Sequence, residues 1–289
     1  MNVSVVSFGC WAIGGGFWGR VEDNDSIKAI HRAIDLGVNL FDTAPIYGFG
    51  HSEEVLGRAL EGKRDKVYIA TKCGPKKNAA GDIFIVLSRD SLIKECEVSL
   101  KRLRTDFIDL YQIHWLEDDS RISEGMETLD YLKSQGKIRA VGVSNFSVSQ
   151  MKEALKTARF ESLQPPYNIM NREIEDGIAP FCKKNNIGLI VYDPLARGLL
   201  TGKFGAKEPV FEKGDVRNYD RRFRGGEYRK NIAFVEEMKK EARSLGMTTA
   251  QYAVAWILKN EAVTSAICGA KTAAQIVETA AAGETTENI

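Results

Sequence analysis

The stretch 41–54 has the sequence Phe-Asp-Thr-Ala-Pro-Ile-Tyr-Gly-Phe-Gly-His-Ser-Glu-Glu. It follows a short apolar run that begins at Val38, and it leads into a segment with helical character. This pattern predicts that Asp42 closes a buried strand, that Tyr47 lies in the following loop, and that Ser52 caps the next helix. An acid and a phenol at the carboxyl end of a strand are poor core residues but good site residues. Their partners are expected at the ends of other strands.

Short apolar runs alternate with helical patterns along the rest of the chain. The runs predicted as strands are 4–11, 38–44, 67–71, 107–113, 138–143, 162–164, 187–192 and 264–268. The patterns predicted as helices are 23–36, a segment starting at Ser52, 90–103, 122–135, 147–157, 176–185, 231–244, 249–258 and 273–282. The stretch 199–228 has no clear periodicity. Eight strand–helix units favour a single α/β domain over residues 1–289, a closed (β/α)8 TIM barrel with its chemistry at the strand carboxyl ends.

A doubly wound dinucleotide-binding fold is the alternative. Gly14, Gly16 and Gly19 match the spacing G-x-G-x-x-G, and Asp42 ends the second strand, where a ribose-binding acid is expected. The context differs, because the first glycine does not directly follow the preceding strand and helical signals start only near Asp23. The barrel is therefore preferred.

Composition narrows the class of protein. The chain of 289 residues has 40 basic and 39 acidic residues, so its net charge of +1 gives no reason to expect binding to nucleic acid or to an acidic membrane. No apolar run is long enough to span a bilayer, and no secretory signal is visible, which predicts a cytoplasmic protein. The five cysteines form no C-x-x-C pair and are expected to be free thiols, so no metal site is predicted.

Reactive side chains follow three consecutive predicted strands. Asp42 and Tyr47 follow the second, Lys72 the third and His114 the fourth. An ammonium beside Tyr47 is expected to lower the pKa of the phenol, while Asp42 supplies the counter-charge that a buried lysine requires. His114 can hydrogen-bond a carbonyl oxygen. Each residue also has a plainer interpretation, as a turn cap, a solvated lysine or a packed histidine, but their coincidence at neighbouring strand ends favours a carbonyl-polarising site.

Longer motifs resemble the aldo-keto reductase superfamily from about residue 8 to residue 278. They are Phe41-Asp42-Thr43-Ala44, Tyr47-Gly48-x-Gly50-x-Ser52-Glu53, Ser99-Leu100-Lys101-Arg102-Leu103-x-x-Asp106-x-Ile108-Asp109-Leu110, Gln112-Ile113-His114-Trp115, Gly142-Val143-Ser144-Asn145-Phe146, Gln164-x-x-Tyr167-Asn168 and Tyr192-x-Pro194-Leu195-x-x-Gly198-Leu199-Leu200. The resemblance implies an NAD(P)H-dependent reductase of small-molecule carbonyl compounds. Asp42, Tyr47, Lys72 and His114 match the catalytic residues of the superfamily, with Tyr47 as the proton donor.

The resemblance also implies a set of coenzyme-binding residues. The nicotinamide carboxamide would be held by Ser144, Asn145 and Gln164, and the nicotinamide ring would stack on Tyr192. The pyrophosphate would be covered by Pro194, Leu195, Arg197, Gly198 and Lys203. The adenosine half would be held by Gly269, Lys271, Gln275 and Glu278. Lys271 could meet a 2′-phosphate, which favours NADPH. Gln275 stands where many relatives have arginine, so NADH stays possible.

The substrate side is less defined by the resemblance. Trp18, Phe49 and Trp115 are expected to line the substrate pocket. The N-terminal hairpin and the C-terminal roof of many relatives are expected to be short or absent, which predicts an open pocket. Two other functions compete with the reductase: a cofactor-binding regulatory subunit with slow turnover, and a Schiff-base aldolase that uses Lys72. The sequence leaves the oligomeric state open, with a slight preference for a monomer.

Overall fold

A computed structural model describes residues 1–78 and 80–284 of the chain. In chain order its strands are β1 (Val6–Gly9), β2 (Leu40–Asp42), β3 (Tyr68–Cys73), β4 (Pro75–Lys77), β5 (Ile83–Ile85), β6 (Ile108–Ile113), β7 (Ile138–Ser144), β8 (Ser162–Gln164), β9 (Gly188–Val191) and β10 (Val263–Gly269). Eight of them pair in parallel and close into a barrel in the order β1-β10-β9-β8-β7-β6-β3-β2. The predicted (β/α)8 barrel is confirmed, and the doubly wound alternative is wrong.

Helices connect consecutive barrel strands. They are α1 (Asp23–Asp35), α2 (His51–Ala59), α3 (Arg89–Leu103), α4 (Ile122–Ser134), α5 (Val148–Thr157), α6 (Ile178–Lys184), α7 (Gly225–Ser244), α8 (Thr249–Leu258) and α9 (Ala273–Ala280). Most bounds agree with the predicted ones, but α7 begins six residues before the predicted start at residue 231. Its first turns are mostly polar, and the buried Tyr228 there donates its hydroxyl hydrogen to the Gly205 carbonyl oxygen at 2.6 Å. Among the described residues, none of the helices has both the length and the apolar character that a bilayer crossing requires.

The inward-pointing side chains of the barrel strands form an apolar layer and, above it, a polar layer. One layer of apolar side chains fills the barrel interior, namely Leu40, Ala70, Leu110, Ala140, Ile190 and Ile267. Because successive side chains of a strand point to opposite faces, residues two positions further on point inward as well. On β2, β3 and β6 these residues are Asp42, Lys72 and Gln112, all buried. The barrel thus places polar side chains directly above its apolar floor, at the strand carboxyl ends.

The loop between β2 and α2 departs from the prediction at Ser52. The helix begins at His51, after a left-handed Gly50 (φ 104°), so Ser52 lies inside it and caps nothing. Its buried hydroxyl donates instead to the Cys10 carbonyl oxygen at 2.8 Å and is 2.9 Å from the Thr43 hydroxyl. The serine therefore fixes the end of β2 against the loop that follows β1.

A hairpin that the sequence analysis did not predict follows β3. Strands β4 and β5 pair antiparallel, with Lys76 opposite Phe84. Its first arm is charged and both arms are only three residues long, so the sequence shows no strand periodicity there. The hairpin lies just beyond Cys73, and it therefore extends the carboxyl end of the barrel beside the polar residues.

Two glycines let the Tyr47 loop approach the loop after β1. A Cβ atom on Gly48 would lie 2.0 Å from the Gly14 carbonyl oxygen, and one on Gly14 would lie 2.8 Å from the Tyr47 carbonyl carbon. Gly48 also has φ of 60°, a left-handed conformation that disfavours other residues. Gly14 therefore serves as a contact point for the Tyr47 loop.

Replacing Gly48 by alanine should destabilise the protein more than the same change at Gly62. Gly62 has a similar φ of 69° and no atom within 4 Å of the position of a Cβ, so Gly62→Ala should cost about 1–2 kcal/mol for left-handed backbone alone. Gly48→Ala adds a backbone overlap and should cost at least about 2 kcal/mol more. Equilibrium denaturation measures both losses, and equal losses would show that the two loops are not in contact.

Candidate active site

A buried ion pair lies at the centre of the strand carboxyl ends. The Lys72 ammonium on β3 donates to the Asp42 carboxylate on β2 at 2.6 Å and to the Thr43 carbonyl oxygen at 3.0 Å. Parallel pairing sets this contact, because Asp42 is in register with Ala70, two residues before Lys72. The lysine has no exposed surface, and an unpaired ammonium there would be strongly destabilising.

Tyr47 extends from its loop to the same ammonium. Its hydroxyl lies 3.4 Å from Lys72 Nζ, and its ring stacks on Trp11 with centroids 5.9 Å apart. The pKa of the phenol is raised well above its ordinary value, first by burial and then by the negative Asp42 and by Cys10. The prediction of a lowered pKa is therefore wrong for this structure, because burial, and after it the negative Asp42, favours the protonated phenol. Tyr47 is held as a protonated phenol.

His114 is the third reactive group and follows the last residue of β6. Its ring meets the Tyr47 ring edge-on, with centroids 5.9 Å apart. Burial, and then the positive Lys72, hold the pKa of the imidazole well below its ordinary value. A neutral imidazole carries one N–H, and its buried Nδ1 has no hydrogen-bond partner among the described residues. The ring therefore retains hydrogen-bonding capacity that no described residue uses at Nδ1.

The predicted carboxamide-binding residues lie on the other side of Asp42. Ser144 and Gln164 are in register on β7 and β8, and the Ser144 hydroxyl donates to the Gln164 main-chain carbonyl at 2.8 Å. Asn145 follows in a left-handed conformation (φ 61°), and its Oδ1 accepts from the Tyr192 hydroxyl at 2.9 Å. The Gln164 amide nitrogen donates to Asp42 at 2.7 Å. The structure thus brings Ser144, Asn145, Gln164 and Tyr192 together beside the ion pair.

The loop after β9 is organised by ion pairs. This loop includes a short 3-10 helix at Ala196–Thr201. It contains the predicted coenzyme residues Pro194, Leu195 and Gly198. Arg197 pairs with Asp220 at 3.2 Å, and Arg222 pairs with both Asp220 and Asp193. These pairs explain why the stretch 199–228 is ordered without helical periodicity. They also leave Arg197 and Arg222 already neutralised.

Three other cations meet at the far end of this loop. Partial burial lowers the pKa values of Lys203 and Lys271, and each is lowered further by the positive Arg217 nearby. Arg217 pairs with Asp215 at 2.6 Å and lies over the Trp18 ring, while the Lys271 ammonium donates to the Trp18 carbonyl oxygen. The sequence predicts Lys203 and Lys271 as coenzyme residues, but it gives no reason to prefer one among Arg217, Arg221, Arg222 and Arg224. Only the packing of the loop places Arg217 beside them.

The predicted adenosine-binding residues surround the start of α9. Thr272 and Gln275 form a capping box, and Gln275 Oε1 also accepts from the Lys271 backbone N–H at 2.7 Å. The side-chain oxygen of Gln275 therefore already accepts hydrogen bonds from the backbone beside Lys271. Gly269 ends β10, and Glu278 is half-buried one turn further along α9.

Aromatic side chains frame the phenol and the imidazole. Trp18 meets Trp11 edge-on at 5.0 Å, and Trp115 stacks on His114 at 6.3 Å. Phe49 and Trp115 are 41% and 45% exposed, as expected for a mouth and not for a core. The unpredicted hairpin adds Lys77, whose ammonium lies 3.9 Å from the centre of the Phe49 ring. Of the three predicted pocket residues, Trp115 thus contacts His114 directly, Trp18 packs on Trp11 behind Tyr47, and the Phe49 ring packs on Phe17.

Comparison with known proteins identifies the family. A model of the Aldo/keto reductase family matches residues 5–288. The chain belongs to the aldo/keto reductase family. The predicted family is confirmed, and so is the predicted class of enzyme, an NAD(P)H-dependent oxidoreductase.

Three relatives illustrate the range of this family. The structure of a glycerol dehydrogenase from Gluconobacter oxydans is 41% identical, with a TM-score of 0.88, over 96% of this chain and 86% of that one. An NADH-specific methylglyoxal reductase of Escherichia coli is 35% identical over 98% of this chain and 90% of its own. An aldo-keto reductase from Klebsiella pneumoniae in complex with NADPH is 28% identical, with a TM-score of 0.77, over 98% and 86%.

Proposed function

We propose that the protein reduces the carbonyl group of a small aldehyde or ketone with NADPH, and that Tyr47 is the proton donor. The observation that supports this most strongly is the convergence of a protonated phenol, a buried ammonium and a neutral imidazole at one point of the barrel mouth. The Tyr47 hydroxyl is 3.4 Å from Lys72 Nζ, and the His114 ring packs edge-on against the Tyr47 ring. A carbonyl oxygen placed between Tyr47 and His114 receives hydrogen bonds from both.

The residues divide the chemistry among them. A bound nicotinamide coenzyme supplies the hydride to the carbonyl carbon. Tyr47 gives its proton to the carbonyl oxygen as negative charge develops there, and Lys72 stabilises the phenolate that remains. The raised pKa of Tyr47 suits a donor, because the phenol keeps its proton until the oxygen becomes strongly basic. His114, being neutral, orients the oxygen by donating a hydrogen bond and takes no proton itself.

The residues of the chain fit such a coenzyme. Ser144, Asn145 and Gln164 present amide and hydroxyl groups beside the site, and the Tyr192 ring supplies a flat apolar surface. At the other end of the loop after β9, the ammonium groups of Lys203 and Lys271 pair with no carboxylate among the described residues. Two such cations next to Arg217 match a phosphate-rich ligand. The NADPH complex of the Klebsiella relative agrees with this assignment, and the NADH-specific relative keeps NADH as the alternative.

The competing functions have weaker support. A Schiff-base aldolase needs an uncharged lysine amine that can attack a carbonyl, whereas the Lys72 ammonium is buried and held by Asp42 and Thr43. A regulatory subunit with slow turnover has no need of the complete set of Asp42, Tyr47, Lys72 and His114. The geometry therefore favours turnover.

Tyr47→Phe should abolish aldehyde reduction while coenzyme binding stays within about twofold of wild type. Loss of a positioned proton donor typically costs roughly 10²- to 10⁴-fold in rate. The measurement is NADPH consumption with a panel of small aldehydes, together with a fluorescence titration of NADPH. Tyr111→Phe is the matched control, since it removes the same atom from a buried tyrosine on the outer side of the barrel. Wild-type turnover by Tyr47→Phe would overturn the proposed mechanism.

Lys271→Ala should weaken NADPH binding about tenfold, the size expected for one charge-assisted contact to a phosphate. NADH lacks the 2′-phosphate, so its affinity should change little. Fluorescence titration of both coenzymes with wild type and variant separates the two effects. Equal wild-type affinities for NADPH and NADH would show that Lys271 does not read the 2′-phosphate.

A further inference from the structure

The two oxygens of Asp42 have different partners. Oδ1 accepts from the Lys72 ammonium at 2.6 Å, and Oδ2 accepts from the Gln164 amide nitrogen Nε2 at 2.7 Å. Gln112 Oε1 is a second, longer acceptor for the same nitrogen, at 3.5 Å. Asp42, Gln164 and Gln112 are all buried. The acid therefore holds a glutamine as well as a lysine.

This contact fixes the orientation of the Gln164 side-chain amide. A carboxylate only accepts hydrogen bonds, so the amide group that faces Asp42 must be the NH2. The reversed amide would place a carbonyl oxygen 2.7 Å from a carboxylate oxygen, and neither atom could donate a hydrogen bond. The Gln164 carbonyl oxygen Oε1 consequently points away from Asp42, and no hydrogen bond from the described residues to Oε1 is present.

Neighbouring polar groups are already committed. The Asn145 amide nitrogen donates to the His114 carbonyl and to the Ser144 hydroxyl, both at 3.0 Å. The Ser144 hydroxyl donates its own hydrogen to Gln164. Asn145 Oδ1 already accepts from the Tyr192 hydroxyl at 2.9 Å. Within this group, Gln164 Oε1 is thus the oxygen that no described residue occupies, and the carboxamide of a nicotinamide carries an N–H that can donate to it.

We propose that Asp42 is a positioning residue for the coenzyme as well as the counter-charge of Lys72. By holding the Gln164 NH2, it keeps the Gln164 oxygen directed at the carboxamide N–H of the nicotinamide. This inference rests on the proposed function, since it assumes that a nicotinamide coenzyme binds beside Gln164. It makes one acid responsible for both the proton donor and the recognition of the hydride donor.

The substitution Asp42→Asn should reverse the amide. Lys72 would claim the oxygen of the introduced asparagine, which leaves the asparagine NH2 facing Gln164. Two NH2 groups cannot bond to each other, so Gln164 turns its oxygen inward and its NH2 towards the coenzyme. Gln164→Glu in the same variant restores an outward acceptor, because a carboxylate has an oxygen on each side.

Binding of two oxidised coenzymes tests this without turnover. The probes are NADP+ and its 3-acetylpyridine analogue, in which a methyl group replaces the carboxamide NH2. Calorimetric titration of wild type should show NADP+ binding roughly three- to tenfold more tightly than the analogue, the range expected for one net hydrogen bond. Asp42→Asn should abolish or reverse that preference, and Asp42→Asn combined with Gln164→Glu should regain it.

The controls separate this inference from the proposed function. Tyr47→Phe should lose turnover and keep the preference for NADP+, whereas Gln164→Leu should lose the preference without reversing it. Thermal melting of each variant establishes that it is folded, and Gln164→Leu serves as the test if Asp42→Asn does not fold. An unchanged preference in Asp42→Asn or in Gln164→Leu would overturn the positioning role while leaving the reductase intact. Failure of wild type to bind either probe would instead overturn the proposed function.

Discussion

The ion pair between Lys72 and Asp42 is the interaction on which the rest of the site depends. Neither charge is stable alone at this depth, because desolvation of an isolated ion exceeds what one hydrogen bond returns. Their pairing at 2.6 Å allows a fully buried ammonium to stand 3.4 Å from a phenol. It also places a fixed negative oxygen where Gln164 can bond it. Both halves of the proposed site, Tyr47 as the proton donor and Gln164 as the carboxamide contact, therefore meet at one carboxylate.

The positions of the strand residues are set by the barrel, whereas those of the loop residues depend on packing. Lys72, Gln112 and Gly142 are in register on three adjacent strands, so their relative positions are set by parallel hydrogen bonding. Tyr47 lies outside this framework, and its position depends on the close approach of Gly48 to Gly14 and on stacking against Trp11. The site therefore combines a lysine whose position is set by strand register with a phenol whose position is set by loop packing.

Much of this arrangement could be predicted from the sequence. Short apolar runs ending in Asp42, Lys72 and His114 specify both the barrel strands and the ends where polar groups collect, because the periodicity of a strand is local information. The same holds for α3, where the residues at helical spacing Leu92, Cys96, Leu100 and Leu103 are all buried. The spacing of apolar residues along a helix or strand indicates which of its sides faces the core.

What the sequence did not show depends on contacts between distant segments. The raised pKa of Tyr47 results from burial and from its distance to Asp42, and neither is visible in a D-x-x-x-x-Y spacing. The selection of Arg217 among several arginines, and the commitment of Arg222 to Asp193 and Asp220, follow from a loop that has no period. Likewise, Ser52 resembles a helix cap in the sequence, but the helix begins one residue before it, at His51, after the left-handed Gly50.

A double-mutant cycle between Lys72→Met and Tyr47→Phe tests most directly whether the buried pair serves the phenol. Asp42 remains bonded to Gln164 in Lys72→Met and can take up a proton, so the variant keeps a satisfied site. If Lys72 acts through the Tyr47 proton, the rate of aldehyde reduction by the double variant should equal that of Tyr47→Phe alone. Losses that multiply in the double variant would contradict this, because they would show that Lys72 contributes to the reaction independently of Tyr47.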